Sequence, residues 1–90
     1  MYKVKDPEYL DIRVTKIGLF RYQIQTTYLD EKRDVYCVGI EQAFGVKNTQ
    51  ILLDNNFIWA VYRRKVKYEN ITFFNHTNKY FKKYKINSWH

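Results

Sequence analysis

Basic and aromatic side chains alternate closely in two runs near the end of the 90-residue sequence, at residues 62–68 and 79–85. Lys and Arg neutralise phosphates and release counterions. Aromatic faces stack on unpaired bases and tolerate any base sequence. The two runs therefore have the composition of a surface that binds RNA or single-stranded nucleic acid.

The residues that we predict to contact nucleic acid fall into two groups. The basic side chains would contact phosphates, and they are Arg63, Arg64, Lys65, Lys67, Lys82, Lys83 and Lys85. The tyrosines would stack on bases, and they are Tyr62, Tyr68, Tyr80 and Tyr84. In the competing interpretation these runs are half-buried strands, whose lysines keep the outer face solvated and protect the sheet edges.

The net charge of +7 comes entirely from residues 55–90. Residues 1–54 carry eight basic and eight acidic side chains, whereas residues 55–90 carry eight basic side chains and one acid, Glu69. The same 36 residues hold ten of the seventeen aromatic side chains. A neutral first part beside a strongly basic, aromatic second part favours a polyanionic partner.

The sequence offers few residues for catalysis. Its two histidines are His76, in a predicted turn, and His90, the terminal residue. Cys37 lies inside a predicted strand, which indicates a buried and unreactive thiol. The chain has no glycine-rich phosphate loop and no set of metal ligands at a workable spacing. A ribonuclease that uses both histidines is the catalytic alternative, but we expect a binding protein with no enzyme activity, cofactor or metal site.

Cysteine usage and hydropathy predict a cytoplasmic protein. A single cysteine cannot form an intrachain disulfide, which favours a reducing compartment. The first residues lack the apolar core of a signal peptide, and the longest apolar run, residues 57–62, is too short to span a bilayer. We therefore expect no membrane partner. The abundant Lys, Asn, Ile and Tyr have A/T-rich codons, as in many phage and viral genes, so the location would then be the host cytoplasm.

Length indicates one small domain, residues 1–90, with residues 55–90 as its basic and aromatic part. Alternation of apolar and polar residues predicts strands at residues 10–17 and 20–28. The β-branched and aromatic run at residues 35–40 completes a β-hairpin. The expected fold is α+β, a mainly antiparallel sheet of four to six strands with one short helical segment near residues 40–54.

The second half of the chain leaves alternatives open. Residues 40–44 suit one or two turns of helix that end at Gly45. Residues 48–54 form either a second short helix or a strand that pairs with residues 57–62. Residues 57–62 are apolar on both faces and predict a central strand. A short strand is expected at 71–74, and residues 79–86 fit either a strand or a helix face.

One segment has a partial match to a helix-turn-helix frame, carried by Ile40, Phe44, Gly45, Val46 and Ile51. Residues 35–52 also distantly resemble the strand-then-helix core of phage antirepressor and Bro-type N-terminal domains. In those domains a short helix often ends in Leu-Gly-hydrophobic-Lys-Asn, and residues 44–48 here are Phe-Gly-Val-Lys-Asn. Glu41 replaces the small residue usual early in the first helix. The resemblance implies a DNA reader that uses residues 42–53, whereas the preferred interpretation is a helix packed on a sheet.

Three functions follow from these observations. The first is a small basic nucleic-acid-binding protein, favouring RNA or single strands, with a regulatory or counter-defence role in a phage or virus. The second is a protein-binding inhibitor or adaptor of a host enzyme or defence complex, because Tyr and Arg suit protein interfaces. The third is a helix-turn-helix-like DNA-binding regulator. A homodimer is compatible with all three, since an open sheet edge in so small a protein invites pairing.

Overall fold

A computed structural model describes residues 9–30, 33, 35–77 and 79–84 of the chain. Within these residues the first three strands are β1 (Leu10–Gly18), β2 (Arg21–Asp30) and β3 (Val35–Phe44). Helix α1 (Val46–Ile58) follows and continues as a π-helical turn over Trp59–Arg63. A 3-10 turn at Tyr68–Asn70 then leads into the last strand, β4 (Thr72–Asn75).

The four strands form one sheet in the order β3-β2-β1-β4. Strands β1, β2 and β3 are antiparallel, whereas β4 lies parallel to β1. A parallel neighbour needs a crossover connection, and α1 supplies it by carrying the chain from β3 back across the sheet. The predicted α+β class with a mainly antiparallel sheet is confirmed, with four strands and one parallel pair.

The first two strands form where polar and apolar residues alternate. On β1 the side chains of Leu10, Ile12 and Val14 are buried, and on β2 those of Tyr22 and Ile24 are buried. These residues lie on the face of the sheet that α1 covers, and their neighbours in sequence lie on the other face. The strands predicted at residues 10–17 and 20–28 and the hairpin into residues 35–40 are therefore confirmed.

The predicted helix at residues 40–44 is wrong, because β3 continues through this segment to Phe44. The strand pairs with β2 along its whole length, from Val35 opposite Asp30 to Phe44 opposite Arg21. This continuous ladder overrides the local helix preference of the sequence. Gly45 has a positive φ of 89° and precedes α1 instead of ending a helix. Only a residue without Cβ adopts this conformation at little cost.

The segment at residues 48–54 is helical, and the strand predicted at residues 57–62 is wrong. Leu53, Phe57 and Ala60 are buried and lie on one side of the helix. Their spacing of four and three residues is the spacing of one helix face. In a short apolar run, the pattern of residues cannot distinguish a buried strand from a buried helix. The strand predicted at residues 71–74 is confirmed as β4, and residues 79–84 form neither a strand nor a helix.

The hydrophobic core lies between α1 and one face of the sheet. It is closed at one side by the segment after β4, which contributes Phe81 and Tyr84. The other members of the core are Leu10, Ile12, Val14, Tyr22, Ile24, Leu53, Phe57, Ala60, Val66, Ile71 and Phe73. Both basic and aromatic runs therefore contain residues that the core holds in place.

Candidate nucleic-acid interface

The first basic run lies where α1 ends and the chain turns back toward β4. Tyr62, in the last turn of the helix, has 68% of its surface exposed. Val66 is buried, and its amide donates a hydrogen bond to the carbonyl of Ala60 at 3.0 Å. Because Val66 anchors this loop, its neighbours Lys65 and Lys67 lie exposed on either side of it.

Arg64 has an intramolecular role that its place in the run does not reveal. Its Nη2 atom donates a hydrogen bond to the carbonyl oxygen of Leu29 at 2.8 Å. Its guanidinium also lies 4.6 Å from the ring centroid of Tyr28, within cation–π distance. Arg64 therefore joins the end of α1 to the end of β2, although it stays exposed enough to meet a ligand.

The second run folds back from β4 onto the core. Asn75 is buried, and its Nδ2 atom donates to the carbonyl oxygen of Tyr80 at 2.7 Å. Thr77 closes the turn by donating its hydroxyl to Asn75 Oδ1 at 2.6 Å. Phe81 is buried with its ring centroid 5.6 Å from that of Tyr22. These interactions leave Lys79 and Lys82 exposed.

Tyr84 is placed in the core instead of on the surface. Only 7% of it is exposed, and its ring stacks on Phe57 with a centroid distance of 4.5 Å. The ring centroid of Phe73 lies 5.2 Å from that of Tyr84. The Tyr84 hydroxyl donates to Asp54 Oδ1 and accepts a hydrogen bond from Gln50. With its ring covered in this way, Tyr84 is not positioned to stack on a base.

Asp54 on α1 is the acidic partner of the second run. Lys83 Nζ lies 3.2 Å from Asp54 Oδ1. Burial acts to raise the pKa of Asp54, but the hydrogen bonds from Tyr84 and Lys83 outweigh it, so the pKa is lowered from its ordinary value. In Tyr84, burial and the hydrogen bond to Asp54 raise the pKa of the phenol. Lys83 is thus neutralised locally, whereas no ion pair in the described part of the chain involves Arg63, Lys65 or Lys67.

The two runs meet at one ring of the core. Tyr68 of the first run contacts Phe57 with a centroid distance of 5.7 Å, and Tyr84 of the second run stacks on the same Phe57. The ends of the two runs are therefore neighbours beside α1. We call the exposed members of the two runs, apart from Arg64 and Lys83, the basic surface, namely Tyr62, Arg63, Lys65, Lys67, Tyr68, Lys79 and Lys82.

Most of the residues predicted to bind nucleic acid are exposed at the surface. Six lie on the basic surface: Tyr62, Arg63, Lys65, Lys67, Tyr68 and Lys82. Arg64 and Lys83 are exposed but have intramolecular partners. Tyr80 is half-buried beside Tyr22, and Tyr84 is buried. Lys85 lies outside the described residues. Lys79 belongs to the second run, and the sequence prediction did not include it.

A cleft of about 250 Å³ between α1 and β3 was not predicted from the sequence. Its walls include Trp59 and Tyr28, whose rings meet edge to face at 5.2 Å. Asn56 accepts a hydrogen bond from Thr26 at 2.8 Å and donates to Glu41 at 3.1 Å across the cleft. The remaining lining residues are Gly39 and Ile40. No sequence signal marked the cleft, because the apolar run that contains Trp59 predicts a strand.

The acidic, cysteine and histidine side chains are the remaining groups that could carry chemistry. Within the described ranges, no group of three or more His, Cys, Asp and Glu side chains could hold a metal ion. Cys37 is partly buried on β3. His76 lies parallel to the ring of Phe74 with centroids 6.4 Å apart, as an ordinary packing contact.

Comparisons with known protein families, with curated proteins and with solved structures give no match to this chain. Across the part of the chain that the structure describes, no helix combines the length and apolar character needed to cross a membrane.

Proposed function

We propose that this protein binds RNA or other single-stranded nucleic acid through the basic surface. The observation that carries the proposal is the packing of Tyr68 and Tyr84 on the shared ring of Phe57, which brings the end of one basic run to the end of the other. A groove or surface that combines separate cationic segments with exposed rings can follow a phosphate backbone while bases stack.

The individual side chains suit these two tasks. Tyr62 offers the most exposed tyrosine ring of the surface, at 68% exposure. Arg63, Lys65 and Lys67 follow it directly, so the positive charges for phosphates lie within a few residues of a ring for a base. Such interactions depend on the backbone and on base faces, which predicts binding with little sequence preference.

The alternative of a helix-turn-helix regulator has less support. Residues 35–44 are strand β3, and α1 is the single α-helix within the described ranges. Along Val46–Ile58 the helix carries one basic residue, Lys47, and one acid, Asp54. A recognition helix for duplex DNA normally brings several polar or basic side chains to the major groove.

The test is fluorescence anisotropy with labelled single-stranded RNA, single-stranded DNA and duplex DNA over a salt series. We expect salt-dependent binding that favours single strands. The triple variant R63Q/K65Q/K67Q should weaken it. The slope of log K against log salt should also fall by about 0.7 for each phosphate that the variant no longer neutralises.

The matched control is K16Q/R21Q/K47Q, which also removes three exposed positive charges but none from the basic surface. If net charge alone drove binding, the two triple variants would behave alike, and the proposed surface would be rejected. Absence of binding to every oligonucleotide at low salt would reject nucleic-acid binding altogether.

A second candidate function is a protein-binding inhibitor or adaptor of a host enzyme. The cleft favours it, because Trp59, Tyr28 and the adjoining Arg64 are residue types enriched at interface hot spots. Capture of a partner from nuclease-treated host lysate by the wild type, but not by W59A, would support it. The phage or viral role and the cytoplasmic location stay predictions from composition.

A further inference from the structure

Strand β3 is an edge strand of the sheet, and no other described strand pairs with its outer edge. It is ten residues long, and all ten pair with β2 without an irregularity. Among the described strands, none pairs with the backbone donors and acceptors on the opposite edge. Such an edge is a template for another strand.

The residues of β3 itself lack the features that normally prevent strand addition. Proteins protect exposed edges with Lys, Pro, bulges or very short strands. The sequence of β3, VYCVGIEQAF, has none of these, and its one charged residue is Glu41. Its outer face exposes large apolar side chains, with Val38 at 52%, Ile40 at 58% and Phe44 at 62% exposure.

We propose that a second copy of this chain covers the edge, with β3 pairing antiparallel to its own counterpart across a two-fold axis. Charge permits a second copy at this strand. Two molecules of net charge +7 repel each other, but β3 has no basic residue, so pairing here keeps the excess positive charge away from the interface. The partner strand also matches β3 in length.

The pairing geometry limits the register. Side chains of residues directly opposite each other in an antiparallel pair point to the same face. A two-fold axis perpendicular to the sheet keeps each side chain on its own face. The axis must therefore pass between one residue and the same residue of the second copy. The proposed register has Ile40 at the axis, which places Tyr36 opposite Phe44 on the outer face and Glu41 opposite Gly39 on the other. Aromatic cross-strand pairs are favourable, and the two carboxylates are not directly opposed.

The dimer would contain one continuous eight-stranded sheet with both copies of α1 on the same side. The cleft between α1 and β3 of each copy would then open onto its counterpart across the paired strands. The inference does not depend on nucleic-acid binding, because β3 and the basic surface share no residue.

Sedimentation equilibrium over a concentration series tests the inference with two variants. I40K places a charge on the outer face of β3, and I58K makes the same change on α1 at nearly equal exposure, 58% against 55%. We expect dimers for the wild type and I58K, and monomers for I40K with an unchanged far-UV circular dichroism spectrum. A monomeric wild type, or an I40K variant that dimerises like the wild type, would overturn the proposal.

Cysteine cross-linking keeps the proposal testable if I40K does not fold. In a C37S background, I40C should form a disulfide-linked dimer under mild oxidation, because opposite Cα atoms lie about 4.5–5.5 Å apart in such pairs, within disulfide range. I58C in the same background is the control and should stay monomeric. Equal cross-linking of the two variants, or none in either, would contradict pairing through β3.

Discussion

The rings of Tyr84 and Phe57 lie parallel, with centroids 4.5 Å apart and an angle of 5° between their planes. This stacking fastens the segment after β4 to the last turn of α1. The Tyr84 hydroxyl adds a hydrogen bond to Asp54, one helical turn before Phe57. Tyr84 therefore stabilises the fold that presents the basic surface, and its removal should be measured first as a change in stability.

We predict that Y84A lowers the free energy of unfolding by about 3 kcal/mol or more, as for other buried aromatic side chains. Y84F keeps the stacked ring and removes only the hydrogen bonds of the hydroxyl, so its destabilisation should be about 1–2 kcal/mol. Urea unfolding followed by circular dichroism gives both values. Y84F should bind single-stranded RNA like the wild type. A much weaker binding by a stable Y84F would show that Tyr84 contacts the ligand.

Asp54 should make stability depend on pH in the acid range. Its pKa is lowered in the folded state, so its carboxylate stabilises the fold above the unfolded pKa of about 3.9. That contribution disappears as pH falls through the folded value. We expect the free energy of unfolding to fall less between pH 5 and pH 2 in D54N than in the wild type. Identical pH profiles for D54N and the wild type would contradict the role of Asp54.

Tyr62 should contribute to binding and not to stability. Since most of its ring is exposed, Y62A should leave the urea midpoint within experimental error. A stacked base contributes about 1–3 kcal/mol, so affinity for single-stranded RNA should fall roughly 5- to 150-fold. F20A is the control, because Phe20 is also exposed, at 56%, but lies in the β1–β2 turn. An equal reduction in F20A would indicate non-specific hydrophobic binding.

Arg64 should contribute to stability through its geometry as well as its charge. R64A removes the hydrogen bond to Leu29 and the cation–π interaction with Tyr28, at a cost of about 1–2 kcal/mol. R64K keeps the charge but cannot reproduce a planar guanidinium over a ring. We therefore expect R64K to restore less than half of that stability in thermal unfolding. Full restoration by lysine would show that charge alone matters at this position.

The strands could be predicted from the sequence where apolar residues of the buried face alternate with polar residues of the other face. Ile12 and Val14 alternate with Arg13 and Thr15, and this period of two is present in the structure as β1. The pairing of β1 with β4 could not be predicted, because no local pattern shows which distant strand lies beside it. That pairing depends on the path of α1 across the sheet.

The helix was harder to predict because its sequence has no clear amphipathic period. Phe57 and Ala60 face the core, but Ile58 is 55% exposed, so apolar residues occur on both sides of α1. The same ambiguity affects the candidate site. The alternation of charge and aromatic residues predicts where the basic surface lies, whereas only the packing shows that Tyr84 is buried and that Arg64 has partners within the chain.

The parallel pairing of β1 with β4 sets an order on the ribosome. Ile12 cannot meet Phe73, its partner across the pair, until the intervening strands and α1 have been synthesised. Before β4 leaves the exit tunnel, the nascent chain holds a three-stranded sheet with both edges open, a state prone to aggregation. Translational arrest before residue 72 should therefore yield an aggregating intermediate, and release of the last strand should suppress it.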